Sequence, residues 1–148
     1  MYRLIFLIYA AFMLSSCEDN GSMKPIASGE ADIPDSELTT TKSGLQYKII
    51  SKGDEAVKPN ANSFVTVHYE GKLLNGKIFD SSYSRGQPAS FSLSQVIKGW
   101  TEGVQLMGKG AVYIFKIPSK LAYGSTGAGR VIPPDSPLIF KIELIDFK

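Results

Sequence analysis

Only one stretch of the chain carries a helical period. In "VIKGWTEGVQLMGKG", residues 96–110, the apolar residues Ile97, Trp100, Val104 and Met107 are spaced by 3, 4 and 3. Lys98, Thr101, Glu102 and Gln105 fall between them. A helix of about ten residues does not stand alone in water. Gly99 and Gly103 weaken it further, by ~1 kcal/mol each. It must lay its apolar stripe on something larger, and the rest of the domain supplies only strands.

Those strands are frequent. "LQYKII" (45–50) is the first. In "SFVTVHYEGKLL" (63–74), Val65, Val67 and Tyr69 alternate with Thr66, His68 and Glu70, the mark of a half-buried strand. Asn75–Gly76 follows as a hairpin signal, and "KIFDSS" returns. "ASFSLS" (89–94) is short, while "GAVYIFKIP" (110–118) and "PLIFKIELIDF" (137–147) are long β-branched and aromatic runs. Hairpin-linked strands with one helix predict an α+β fold, an antiparallel sheet with the helix on its concave face. A helix this small cannot cover a sheet of five strands. An apolar hollow should remain, with Trp100 pointing toward the sheet and the Gly- and Pro-rich loop "LAYGSTGAGRVIPPDS" (121–136) at its rim.

The inventory limits the chemistry of that hollow. One cysteine (Cys17) and one histidine (His68) exclude an internal disulfide, a Cys/His metal cluster and a Cys–His couple. No metal site and no cofactor is expected. "GSTGAGR" (124–130) lacks the Lys-Ser/Thr ending of a phosphate loop. His68 reads as a solvent or edge histidine. The bases are scattered, with no run of three, so a nucleic-acid partner is not expected. What remains is an aromatic hollow with Tyr69, Asp80 and Tyr123 as polar points. Rotation about an X–Pro amide needs little more. Its barrier is ~18–20 kcal/mol and no bond breaks, so no nucleophile is required. The planar amide is the more polar form, so a dry pocket penalises it more than the twisted one, which a placed donor can then hold.

Ahead of the domain the sequence changes character. "MYRLIFLIYAAFMLSSC" has Arg3 and then an apolar run from Leu4 to Leu14. As a helix that run rises about 16 Å, short of a ~30 Å hydrocarbon core, which favours a cleaved leader over residues 1–16. "LSSC" resembles the bacterial lipobox, and the chain's only cysteine stands where the lipid would attach. Acyl chains on Cys17, palmitate among them, would make a durable membrane anchor. Residues 17–40 then carry six acids and one base, whereas residues 41–148 carry fourteen bases and eight acids. The stretch 17–41 reads as a lipidated cysteine and a flexible acidic tether, and 42–148 as the domain. The expected location is a bacterial membrane, with the domain facing the periplasm or the cell surface.

The blocks "VTVHYEGKLLNGKIFDSS", "VIKGWTEGVQLM", "LAYGSTG" and "VIPPDSPLIFKIEL", in that order across about 43–147, closely resemble the FKBP-type peptidyl-prolyl isomerases, here in a bacterial lipoprotein form. The resemblance implies a five- or six-stranded antiparallel sheet wrapped around one short helix. It implies an isomerase whose substrates are proline-containing polypeptides and which macrolides can inhibit. Residue by residue it implies Tyr69 and Phe79 as aromatic walls, Asp80 as the polar wall near the reacting amide, and Phe91 beside them. Val96 and Ile97 form the edge, with the Ile97 N–H offered to a substrate carbonyl. Trp100 is the floor, Tyr123 offers its phenol, Ile132 sits on the loop, and Phe140 closes the back. Asp80, Tyr123 and Phe79 carry the catalytic roles and the others bind substrate. Ala89 and Ala128 stand where the family often has bulkier residues, which opens the rim. With no helical dimerisation segment ahead of the domain, a monomer is expected. The competing expectation is a non-catalytic peptide-binding or chaperone lipoprotein that uses the same cleft.

Overall fold

The computed structural model describes residues 33–148. The expected leader, Cys17 and the first part of the expected tether lie outside the described residues. The described chain forms one antiparallel sheet and one α-helix. The strands are β1 (Thr39–Thr40), β2 (Gln46–Ser51), β3 (Phe64–Leu73), β4 (Ile78–Ser81), β5 (Ala89–Ser92), β6 (Val112–Ile117) and β7 (Leu138–Phe147), and the helix is α1 (Lys98–Val104). Sheet order is β1-β2-β6-β7-β3-β4, with β5 also paired to β3. The sheet thus has seven strands, where five or six were expected. The added piece is the two-residue β1 on β2.

The long strands β3 and β7 run antiparallel from Val65↔Phe147 to Leu73↔Leu138, with a bulge that passes over Ile145. A second bulge passes over Ile50 in the β2–β6 pair. Each adds local twist and curls the sheet. The inner face then wraps α1. Val65, Val67, Phe115, Ile117, Ile142 and Leu144 are at most 1% exposed and make the centre of the core. The alternation read in β3 holds from Phe64 to Tyr69 and then stops. Glu70 and Lys72, on the outer face, are each 2% exposed and pair with one another at 3.6 Å.

The two helix glycines have a packing reason. A Cβ on Gly99 would lie 2.4 Å from Ile117 Cγ2, and one on Gly103 2.7 Å from the Phe115 ring. The missing side chains let α1 sit directly on β6. The helix is seven residues long, shorter than the ten or so its period suggested. Thr101 Oγ1 donates to the Leu93 carbonyl at 2.6 Å, which ties the first turn to the preceding chain.

Asn75–Gly76 does make a hairpin, but not the two-residue primed turn. Gly76 N–H donates to the Leu73 carbonyl at 2.9 Å, and Gly76 has φ +83°. Asp135 is the only non-glycine with positive φ among the described residues, so Asn75 is not left-handed. Gly76 is therefore the left-handed residue that closes a three-residue loop.

The expected boundary at 41/42 falls inside ordered chain. Asp35–Glu37 form a 3₁₀ turn. Asp35 pairs with Lys116 at 2.7 Å and Glu37 with Lys48 at 2.5 Å. Thr41 Oγ1 and Ser43 Oγ both donate at 2.7 Å to the Glu102 carboxylate on α1. The acids that make this segment look unable to fold alone are the groups that dock it on the basic domain.

Candidate active site

Four rings build the floor of a cleft between α1 and the sheet. Trp100 meets Tyr69, Phe91 and Phe140 edge to face, with centroids 5.2, 5.5 and 5.3 Å away and planes 83–86° apart. Phe79 meets Phe140 the same way at 5.5 Å. Such edge-on packing is favourable, and it leaves an apolar hollow between the rings. Trp100 Nε1 is buried with no hydrogen-bond partner. The cavity volume is about 130 Å³. That suits one small ring, since pockets for drug-sized ligands run to ~300–1,000 Å³.

A bulge in β4 supplies one wall. Gly71 pairs with Asp80 but Lys72 pairs with Ile78, so Phe79 is the extra residue. In a regular strand Phe79 and Asp80 would point to opposite faces. Here both line the cavity. Gly71 makes room for this wall: a Cβ there would lie 2.6 Å from Phe79 and 2.7 Å from Phe140.

Beside the rings sits a tight polar cluster. Tyr69 Oη donates to Asp80 Oδ2 at 2.5 Å, and Arg85 Nη1 donates to Asp80 Oδ1 at 2.5 Å. Arg85 Nη2 donates to Tyr69 Oη at 2.8 Å, and the guanidinium lies over the Tyr69 ring, 5.6 Å from its centroid. Burial works against ionisation of Asp80, but the hydrogen bonds from Tyr69 and Arg85 outweigh it and hold the carboxyl below its ordinary value. Burial, and then the hydrogen bond to Asp80, push the Tyr69 phenol up. Ser82, fully buried, fixes the backbone behind it: Tyr69 N–H donates to Ser82 Oγ at 2.8 Å and Ser82 N–H to the Tyr69 carbonyl at 2.9 Å.

Val96 and Ile97 form the edge where the chain enters α1, and both line the cavity. Ile97 caps the helix with its carbonyl, which accepts from the N–H groups of Trp100 and Thr101 at 2.9 and 3.1 Å. Tyr123 closes the opposite rim, 41% exposed. The loop that presents it folds on itself through Asp135 N–H to Gly124 O at 2.9 Å and through the Ala128–Ile132 bridge. The structure therefore brings nine of the expected residues to one cavity, Tyr69, Phe79, Asp80, Phe91, Val96, Ile97, Trp100, Tyr123 and Phe140. It does not bring Ile132 there. That side chain is 5% exposed and packs into the core beneath the loop, because the Ala128–Ile132 turn directs it inward. His68 lies on the other face, stacked on Tyr83 at 4.8 Å with Nδ1 2.9 Å from Ser82 Oγ.

Sequence reasoning missed Arg85. It stands five residues after Asp80 in a polar turn, and nothing in its local pattern separates it from the other surface cations. Only the path of that turn carries it back to Tyr69 and Asp80.

A curled antiparallel sheet on one short helix, with a tryptophan-floored ring cluster at their junction, defines a narrow class of protein. The chain belongs to the FKBP-type peptidyl-prolyl cis-trans isomerase family, whose model matches residues 55–145. It is similar to a probable FKBP-type peptidyl-prolyl cis-trans isomerase of Haemophilus influenzae, 55% identical over 111 residues, which cover 74% of this chain and 45% of that protein. It is likewise similar to the outer membrane protein MIP of Legionella longbeachae, 51% identical over 75% of this chain and 47% of that one. The crystal structure of FkpA from Escherichia coli superposes with a TM-score of 0.72 at 44% identity, over 76% of this chain and 52% of that one. The chain spans about half the length, or less, of the curated relatives it matches.

Proposed function

We propose that the chain is a peptidyl-prolyl cis–trans isomerase acting on X–Pro bonds of extracytoplasmic or unfolded polypeptides. The observation that carries this reading is the hollow itself: a ring-sized apolar cavity with a fixed Asp80–Tyr69–Arg85 cluster on one wall. The pyrrolidine ring sits over Trp100 among the aromatic rings. Removing water raises the energy of the polar planar amide, while the twisted amide has already lost its resonance. The Ile97 N–H and the Tyr123 phenol hold the substrate carbonyls, and the Asp80 carboxylate faces the reacting amide. Rotation needs no covalent step. Larger apolar rings of macrolide type fit the same floor only by extending over the rim.

The chain is held at a bacterial membrane by lipid on Cys17 after removal of residues 1–16. The lipobox-like "LSSC" supports this, and a similar protein bears the name outer membrane protein MIP. Among the described residues Asp35 is the first acid docked on the domain, so the link to the anchor lies ahead of it, and the domain works as a monomer.

The test is the cis-to-trans relaxation of a short X–Pro peptide with and without the protein. Acceleration that falls at least tenfold in Tyr123→Phe or Asp80→Val, with folding intact, is the expected result. Peptide binding with unchanged relaxation points instead to a chaperone cleft without turnover.

A further inference from the structure

Residues 35–43 cross from one face of the sheet to the other. Lys48 and Lys116 alternate with Tyr47 and Phe115 along β2 and β6, and those rings pack on the core, so both lysines point to the outer face. Asp35 and Glu37 are held there, on Lys116 at 2.7 Å and on Lys48 at 2.5 Å. The chain then pairs with the edge of β2 through β1. It ends on the inner side, where Thr41 Oγ1 and Ser43 Oγ donate to the two oxygens of the Glu102 carboxylate, each at 2.7 Å. The turn that presents these hydroxyls is itself fixed. Thr41 N–H donates to the Leu45 carbonyl at 2.8 Å, Gly44 N–H donates to the Thr41 carbonyl at 3.0 Å, and Leu45 is fully buried in the core.

α1 needs such a hold. With seven residues it is too short to keep its shape unaided. It meets β6 through Gly99 and Gly103, where no side chain of the helix interlocks with the sheet. Trp100 and Val104 anchor its buried stripe. Of its polar side chains, Thr101 bonds only the nearby Leu93 and Ile97 carbonyls. Among the described residues, Glu102 alone is hydrogen-bonded to a distant part of the chain, 59 and 61 residues away. The same helix carries the floor of the cleft, Trp100, and Ile97 caps it. Asp80 and Tyr123 stand elsewhere, on β4 and on the 121–136 loop. A shift of α1 therefore moves floor and edge together, relative to both. A misplacement on the order of 1 Å is enough to weaken a site many-fold.

We propose that residues 35–43 are a brace around the β2 edge, and that Thr41, Ser43 and Glu102 are positioning residues. Their bonds set where α1 lies, and so where the Trp100 floor and the Ile97 N–H stand relative to Asp80 and Tyr123. The proposal rests on the reading of the cleft as an X–Pro site. It makes a segment remote from the cleft in sequence part of what sets substrate affinity.

The test is isomerisation of an X–Pro peptide by the protein, with kcat and KM separated. α1 supplies groups that bind substrate. In Glu102→Ala, and in the Thr41→Ala/Ser43→Ala pair, KM is expected to rise about three- to tenfold with kcat within about twofold of the wild type. The triple variant loses no more than either, because all three residues act through one set of bonds. Glu102→Gln, whose amide accepts from one hydroxyl and donates to the other, stays close to the wild type. A merely structural role gives a different result: a smaller folded fraction lowers the apparent kcat and leaves KM alone. That outcome, unchanged constants, or losses that add between the two sides each overturn the proposal. If the wild type isomerises no X–Pro peptide, the cleft reading fails, and the brace is then judged by chemical shifts. Changes at the Ile97 amide and the Trp100 indole N–H in Thr41→Ala/Ser43→Ala support it. Changes confined to residues 41–45 and Glu102 overturn it.

Discussion

At the scale of single residues, the side chain that organises the polar wall is Arg85. It bonds both the carboxylate of Asp80 and the phenol of Tyr69, and so fixes where the negative charge sits relative to the rings. The pH dependence follows from the direction of the Asp80 shift. A carboxyl held below its ordinary value keeps its charge as pH falls through the usual range near ~3.9. The stability it adds is present above its unfolded value and is lost only as pH drops through the lower folded value. Turnover of an X–Pro peptide is therefore expected to stay flat from pH 7 through the ordinary carboxylate range. In Arg85→Gln the guanidinium is gone and the acid limb of kcat/KM moves upward, toward that range. A limb that stays where it was would mean that Arg85 does not set the charge state of Asp80. Asp80 is legible in the sequence because it lies in a motif, while Arg85 is not. Its role depends on the three-dimensional course of residues 81–85, and no periodicity encodes that.

At the scale of elements, the helix shows what pattern reading captures and where it stops. The 3-4-3 spacing identifies α1 and its buried face, since Trp100 and Val104 are 5% and 0% exposed. The same reading counts Gly99 and Gly103 as a weakness, because propensity is local and close approach to β6 is not. The two effects oppose one another and their sizes decide the outcome. Alanine gains ~1 kcal/mol of helix propensity over glycine. A Cβ 2.4 Å from Ile117 or 2.7 Å from Phe115 overpacks the interface, at ~1–3 kcal/mol or more. Neither obstacle is the free end of a flexible chain. Gly99→Ala and Gly103→Ala are each expected to lower stability by about 1–2 kcal/mol, seen as a lower urea midpoint at unchanged slope. A rise in midpoint would show that the helix has slack against β6. The bulge at Phe79 was hidden for a related reason. Alternation is a two-residue pattern, and "KIFDSS" is too short to reveal that one residue steps out of it. The docking of residues 35–41 was hidden because their partners, Lys48, Lys116 and Glu102, are 11, 81 and 61 residues away in sequence.

At the scale of the whole molecule, the core and the cleft are one body. Tyr69, Trp100 and Phe140 belong to the buried cluster that holds the sheet to the helix, and the same rings face the cavity. Chemistry and stability are therefore coupled at those positions. Phe140→Ala is expected to cost ~3–5 kcal/mol, a large part of the ~5–15 kcal/mol that holds an ordinary domain together. Loss of turnover there reports unfolding as much as catalysis. Tyr123 is separable, because it stands on the rim with 41% of its surface exposed. Occupancy of the cleft is also visible as stability, by mass action. A ligand that seats a proline-like ring over Trp100 binds only the folded state, and at a hundred times its Kd it adds ~2.7 kcal/mol. For a domain of this size that is on the order of 10 °C in Tm. Trp100 is the only tryptophan in the chain, so its emission reports binding at low temperature and unfolding on heating. The expected pattern is specific. Tyr123→Phe leaves Tm unchanged without ligand and reduces the rise with ligand, whereas Phe140→Ala lowers Tm before any ligand is added. If Phe140→Ala leaves Tm unchanged in the absence of ligand, the cleft ring is not part of the folding core and the shared-ring account of this protein fails.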